Sequence, residues 1–319
     1  MRVLVTGGAG FIGSNYVRGA VRAGADITVL DALTYAGDER NLAEVAGHRG
    51  FRLVKGDIRD RETVVDVMRG AELVVHFAAE SHVDRSIAGA SEFVTTNVAG
   101  TQTLLQAALE LEVPRFVHVS TDEVYGSIEE GSWPEDHPLE PNSPYAASKA
   151  ASDLLARAYF RTHGLPVCVT RASNNYGHHQ FPEKLIPLFV TNLLDGEPVP
   201  LYGDGLNVRE WLHVDDHCRA IQLVADRGRP GEVYNVGGGV ELTNRDLTRR
   251  LLDLVGAGEE MIRPVADRKG HDRRYAVDTT KIRTELGFTP SVDFAEGLAR
   301  TVEWYTANRA WWEPLKRRN

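Results

Sequence analysis

Arg2-Val3-Leu4-Val5-Thr6-Gly7-Gly8-Ala9-Gly10-Phe11-Ile12-Gly13 is the stretch on which the fold turns. Its apolar start suits a short buried strand, its glycines a tight turn, and the residues on to about Ala23 a helix. A strand, a glycine turn and a helix N-terminus together make an anion site. Free backbone N–H groups and the helix dipole point at a pyrophosphate, and glycine lets it come close. The glycines fit two spacings, Gly-x-Gly-x-x-Gly from Gly8 and Gly-x-x-Gly-x-x-Gly from Gly7. A second strand, Ile27–Leu30, ends in Asp31, at the distance expected for an acid that binds the adenosine ribose hydroxyls. A carboxylate there repels a 2′-phosphate, which favours NAD over NADP.

The pattern repeats further along. Phe51–Lys55 reads as a strand leading into Gly56-Asp57-Ile58, and Glu72–Phe77 as another leading into Ala78-Ala79-Glu80-Ser81. Strands alternating with helical segments predict an α/β fold with a doubly wound, parallel, Rossmann-type sheet. Asp57 and Ile58 are then placed to hold an adenine edge, and Ala78 and Ala79 to pass close to the cofactor. His76 and His118 lie inside apolar runs and read as core histidines.

Composition narrows the function. The 319 residues, 42% of them hydrophobic, are enough for a sizeable core. A net charge of −9 argues against non-specific nucleic-acid or membrane-surface binding, while leaving room for a local basic phosphate pocket. Cys168 and Cys218 fall in a strand-like and a helix-like segment without metal-ligand spacing, so both read as unpaired core thiols and no metal site is expected. No leader pattern and no apolar run of membrane-spanning length stands out, and the expectation is a cytoplasmic enzyme.

Helical stretches follow at about Ser91 to Leu111 and at Tyr145 to His163, suited either to cover the sheet or to form a dimer surface. After the strand Pro166–Arg171 the alternation breaks into loops. A cofactor domain over 1–175, with returns near 212–240, and a smaller irregular α/β substrate lobe over 176–319 are therefore expected. Val214-Asp215-Asp216 is expected to start a returning helix capped by Asp215 or Asp216, and Glu232–Val236 to form a strand. The last eighty residues read as mostly helical, broken by the basic segment Asp267–Arg274.

Two further stretches carry chemistry. Ser120-Thr121-Asp122-Glu123-Val124-Tyr125-Gly126 follows the apolar run Arg115–Val119, so its polar groups fall at the C-terminal end of a strand, where open α/β sheets place ligands. Tyr145-Ala146-Ala147-Ser148-Lys149 opens a helix after Pro144, which puts Tyr145 and Lys149 on one face. Beside a nicotinamide, a phenol with its pKa lowered by an ammonium can take the proton of a substrate hydroxyl, and Thr121 can hold that hydroxyl. Asp122 and Glu123 are superfluous for simple oxidation. They suit an elimination, with Glu123 as base at the carbon alpha to a new ketone and Asp122 as acid for the departing hydroxyl; adjacent carboxyls also tend to share a proton. Solvated or turn-capping acids are the bland alternative.

With these motifs the sequence resembles the extended short-chain dehydrogenase/reductase family, and within it the 4,6-dehydratases of nucleotide sugars. The resemblance also rests on Ala78–Ser86, Ser173-Asn174-Asn175-Tyr176-Gly177, Phe181–Pro187 and Gly270–Tyr275. It implies a redox-neutral dehydration of dTDP-glucose to dTDP-4-keto-6-deoxyglucose on tightly held NAD, by a homodimer in deoxysugar biosynthesis. The catalytic residues it implies are Thr121, Asp122, Glu123, Tyr145 and Lys149. The cofactor contacts it implies are Gly7, Gly10, Phe11, Ile12, Gly13, Asp31, Thr34, Asp57, Ile58, Ala78, Ala79, Ser81, Thr96, Tyr145, Lys149 and Asn174. Substrate contacts carried over are Ser81, Thr121, Asn174, Lys184, Leu185, Pro200, Tyr202, Arg209, Asn244, Arg268 and His271, the basic ones being suited to a diphosphate. A nucleotide-sugar 4-epimerase or a UDP-glucuronate-processing relative would share the fold, Tyr145 and Lys149 but not need the acid pair. An idle NAD-binding regulatory protein would need neither. The chain departs from the family pattern at His178-His179-Gln180, where a proline usually follows the glycine, and both histidines read as surface loop residues. Ala146 replaces the usual serine outside the chemistry.

Overall fold

The computed structural model describes residues Met1 to Arg317. Seven parallel strands form the main sheet: β1 (Arg2–Thr6), β2 (Asp26–Asp31), β3 (Phe51–Lys55), β4 (Leu73–His76), β5 (Phe116–Thr121), β6 (Val167–Ala172) and, later in the chain, β10 (Val233–Val236). Their order is β10-β6-β5-β4-β1-β2-β3, so the chain winds one way from β1 to β3 and the other way from β4 onward. Between β1 and β4 the winding reverses, which opens a crevice at the strands' C-terminal ends.

Helices α1 (Phe11–Arg22), α2 (Arg61–Met68), α3 (Val83–Ala88), α4 (Ser91–Phe93), α5 (Thr101–Glu110) and α6 (Pro144–His163) fill the crossovers. The strands are apolar on both sides because both faces are covered. Val3, Val5 and Val29 pack with Val17 and Val21 of α1, whereas Leu4 and Leu30 pack with Val64, Met68 and Leu104 on the other face.

A three-stranded sheet joins β7 (Asn174–Tyr176), β9 (Val208–His213) and β11 (Val240–Thr243), and β8 (Val199–Tyr202) pairs with β12 (Ile262–Val265). Around them lie α7 (Leu185–Leu194), α9 (Asn244–Val255), α11 (Phe294–Ala307) and α12 (Arg309–Lys316), sharing a core of Phe189, Trp211, Leu251, Leu298 and Trp312. Two helices go back to the main sheet: α8 (Val214–Arg227) packs on β5 and β6, and α10 (Thr280–Leu286) on β10.

Several local expectations need correction. Helix α8 is capped by His213, whose Nδ1 accepts from the Asp215 N–H at 3.3 Å, because Val214 is already helical. Asp216 instead accepts the N–H groups of Ser291 and Val292, both at 2.9 Å, and ties down that loop. The last eighty residues hold β11 and β12 as well as helices. Pro264 disguises β12, but its missing N–H is tolerated in a two-stranded sheet with an open edge. The stretch expected as one helix from Ser91 passes through a π-helical segment, Val94–Gly100.

Candidate active site

A cavity of about 510 Å³ opens at the C-terminal ends of the main-sheet strands, and every candidate cofactor, substrate and catalytic residue named above lines it. The glycine turn forms one wall. Gly7, Gly10 and Gly13 face the cavity, while Gly8 packs on Val29 and Val17, so the spacing that starts at Gly7 is the one in contact with the space. Gly7 has φ +71°, and a Cβ there would lie 2.5 Å from the Ala78 nitrogen; one on Gly13 would lie 2.2 Å from the Gly7 carbonyl oxygen. Both positions admit glycine alone. Gly10 caps α1 without a side-chain hydrogen bond, leaving first-turn N–H groups for an anion.

Asp31 ends β2 with its oxygens accepting from the Ala9 and Leu33 N–H groups, each at 2.8 Å. Burial raises its pKa against these two hydrogen bonds. Spare lone pairs remain for ribose hydroxyls, and its charge disfavours a 2′-phosphate. A glycine cradle, bare N–H groups and this carboxylate fit NAD.

Opposite, β5 delivers the candidate catalytic groups. Thr121 is its last residue and caps the following turn, its Oγ1 accepting from the Glu123 N–H at 3.3 Å and donating to Asp122 Oδ1 at 3.2 Å. Asp122 is buried. Burial raises its pKa well above the carboxylate range, and the neighbouring Glu123 raises it further. Burial raises Glu123 as well, though Arg268, Arg209 and Lys184 pull it back down. Both carboxyls are therefore raised, Asp122 the more strongly, so Asp122 is the better placed to keep a proton and Glu123 to lose one.

Helix α6 supplies Tyr145 and Lys149. It starts where the sequence dictates, with Ser143 Oγ accepting from the Ala146 N–H at 3.1 Å and Pro144 in the first turn. The expected lowering of the phenol pKa is not what the surroundings produce. Burial, then Glu123, push Tyr145 upward, and a hydrogen bond with Thr121 opposes them. Lys149 Nζ donates to the Val119 carbonyl at 2.8 Å, and burial takes its pKa down to about 8 with Asp153 opposing.

The smaller lobe closes the cavity with cations. Arg209 lies 4.4 Å over the Tyr275 ring and donates to the Asp272 carbonyl at 3.0 Å; Lys184 Nζ donates to the Ser81 carbonyl at 2.6 Å. His271 Nδ1 sits 2.6 Å from Asp267, and the Arg268 Nε is buried without a protein partner. Among the described residues no cluster of three His, Cys, Asp or Glu is arranged to hold a metal, and no helix is long and apolar enough to cross a membrane.

Some lining residues were not singled out from the sequence. Glu183 lies 3.2 Å from Arg85 and 3.9 Å from His82, and Asp84 lies 4.0 Å from Arg268, so ion pairs link the two lobes across the cavity. Both sides of these pairs stood within recognised motifs. His217, which also lines the cavity, had no local signal; its Nδ1 is 2.9 Å from Asn175 Oδ1. His178 and His179 are not surface residues as expected. They are half-buried against Trp304, whose ring lies 6.2 and 4.5 Å from theirs, because α11 and α12 fold over that loop.

A dinucleotide cradle, an adjacent acid pair and a cationic lobe around one cavity define the class: a dehydrogenase-fold enzyme that acts on an anionic alcohol. The chain belongs to the GDP-mannose 4,6-dehydratase family, whose model matches residues 4–301. The dTDP-glucose 4,6-dehydratase of Streptomyces antibioticus is 66% identical over 325 residues, spanning 100% of this chain and 96% of that protein. DesIV, the dTDP-glucose 4,6-dehydratase of Streptomyces venezuelae, solved with NAD and dTDP bound, is 65% identical with a TM-score of 0.97, covering 99% of this chain and 100% of its own. The UDP-glucose 4-epimerase of Thermotoga maritima shares the fold at a TM-score of 0.91 and 32% identity, covering 97% of this chain and 100% of its own.

Proposed function

We propose that this protein is an NAD-dependent dTDP-glucose 4,6-dehydratase, a hydro-lyase that forms dTDP-4-keto-6-deoxyglucose. The observation that carries the reading is the adjacent pair of buried Asp122 and half-buried Glu123 in one cavity with Tyr145. NAD supplies the hydride acceptor for C4 and the hydride returned to C6, so the reaction is redox-neutral. Tyr145 takes the C4 hydroxyl proton while Thr121 holds that hydroxyl, a role that requires positive charge at the site to offset the upward push of burial on the phenol. Lys149 provides positive charge on the same helix face. With C4 a ketone, the C5–H bond is acidic; Glu123 removes that proton, the electron pair forms the C5–C6 double bond, and Asp122 protonates the C6 hydroxyl as it leaves as water. Glu123 then returns its proton to C5 as C6 is reduced.

In this reading residues 1–175, with the returns near 212–240, hold NAD, and 176–319 mainly hold the nucleotide diphosphate. Lys184, Arg209, Arg268 and His271 face the diphosphate, while Leu185, Pro200, Tyr202 and Asn244 bound the nucleoside. The proposal includes a homodimer in the cytoplasm. Ile87, Val94 and Leu154 are 38%, 53% and 54% exposed on α3, the π-helical segment and α6, the first two of which pack on α6, a surface suited to pairing helices between copies. Incubation with dTDP-glucose should generate the alkaline absorbance of a 4-keto-6-deoxy sugar. Formation of dTDP-galactose without keto product would overturn the reading in favour of an epimerase.

A further inference from the structure

The glycine turn is held from behind as well as shaped from within. Ala9 is fully buried at its centre. The Ala9 N–H donates to Asp31 Oδ2 at 2.8 Å, and its carbonyl accepts from Asn41 Nδ2 at 2.8 Å and from the Asp38 N–H at 3.1 Å. Asn41 is itself buried, and its Oδ1 accepts from the Trp311 indole N–H at 2.9 Å. Trp311 belongs to α12, far from the turn in sequence and outside the cavity lining.

A second strand of contacts runs alongside. Arg18 of α1 donates to the Asn41 carbonyl at 2.6 Å and to Asn15 Oδ1 at 2.7 Å, and Asn15 Nδ2 donates to the Phe11 carbonyl at 3.0 Å and to the His178 carbonyl at 3.4 Å. The His179 ring lies 4.5 Å from Trp304 and 5.4 Å from Trp311, with Nδ1 3.3 Å from the Arg18 guanidinium. Burial and Arg18 keep that imidazole neutral, so it can accept from Arg18. His179 holds φ +66°, a left-handed conformation that this packing sustains.

We propose that α12 is a clamp on the dinucleotide turn: through the Trp311–Asn41–Ala9 hydrogen bonds it fixes the turn and so sets how tightly the cofactor is retained. The inference rests on the NAD reading above. The turn's N–H groups grip a pyrophosphate only in one orientation, and a tether that enforces it beforehand lowers the ordering cost of binding. Trp311 and Asn41 are positioning residues, since neither faces the ligand.

Trp311→Phe keeps the ring packing and removes the donor. NAD release from the purified holoenzyme, followed by trapping the freed NAD with an NAD-dependent alcohol dehydrogenase, should become roughly three- to tenfold faster, the size of one lost hydrogen bond. The Tm of the NAD-free protein should stay close to wild type while the rise in Tm on adding NAD shrinks. An unchanged release rate, or equal loss of Tm with and without NAD, would reduce Trp311 to ordinary packing and overturn the clamp. Should the variant not fold, hydrogen exchange on the unaltered protein decides. NAD should slow amide exchange in Arg309–Lys316, and no slowing there counts against the clamp. A wild-type chain that binds no NAD would refute the cofactor reading itself, a result distinct from either of these.

Discussion

Asp122 is buried where its ionised form is unwelcome, and the same environment equips it to donate a proton. Its folded pKa is raised, so ionisation costs the folded state nothing at strongly acid pH and progressively more as pH climbs above the ordinary aspartate value of about 4. Asp122→Asn should therefore melt higher than wild type at neutral pH, with the difference vanishing below about pH 4, although the dehydration is lost. Calorimetry across pH would test this, and a variant less stable at neutral pH would contradict it. The partner residue has a different readout. Glu123→Gln should slow exchange of the C5 proton with solvent deuterium, whereas Asp122→Asn should impair water loss more than that exchange; equal loss of both steps would reject the division of roles. Lys149 brings a pH limb. Its pKa is depressed to about 8, so charge at that site, and activity that depends on it, should fall as pH rises through that value. The gathering of this cluster at one strand end and one helix face was legible from the sequence, with the glycine turn and the family resemblance giving the residues their expected roles. Their protonation was not, because it follows from burial, which pushes the phenol upward.

At the scale of elements, α6 shows why some boundaries are readable. Ser143-Pro144 marks its start, and Gly164, at φ +74°, its stop. Ser143→Ala should cost about 1 kcal/mol of stability and lower kcat more than it raises KM, since Tyr145 lies in the first turn. Gly13→Ala should be harsher. A methyl 2.2 Å from a backbone oxygen forces the turn apart, so NAD retention should be lost along with ~1–3 kcal/mol of stability, measured by equilibrium unfolding. Other boundaries were hidden. Histidine is not a usual cap, and the adjacent Asp215 and Asp216 are, so the sequence favoured the wrong residues for α8. The π-helical turn has no residue signature either. It is explained in three dimensions by Asn97, which accepts from the Glu80 N–H at 2.8 Å and donates to Ser148 Oγ at 2.8 Å, tying the loop after β4 to α6.

For the whole molecule, the alternation of strands and glycine-ended turns made the main sheet legible, because parallel strands buried on both faces read as continuous apolar runs. The smaller lobe was less so: its strands are short, two contain proline, and the pairing of segments such as Glu183 with Arg85 depends on where distant loops land. The proposed dimer belongs to this scale. Leu154→Glu should leave a folded monomer by analytical ultracentrifugation, and an unaltered sedimentation coefficient would remove that helix surface from the interface.

The late strand β10 bears on how the chain can be made. Pairing with β6 through Val233–Val236 means that one edge of the main sheet stays bare during synthesis until the intervening small-lobe strands have left the ribosome. A nascent chain stopped after β6 presents an apolar strand with unpaired N–H and C=O groups, a template for sticking to its neighbours. The two lobes are thus obliged to mature together, and a gene fragment encoding only 1–175 should yield aggregates rather than a small NAD-binding protein.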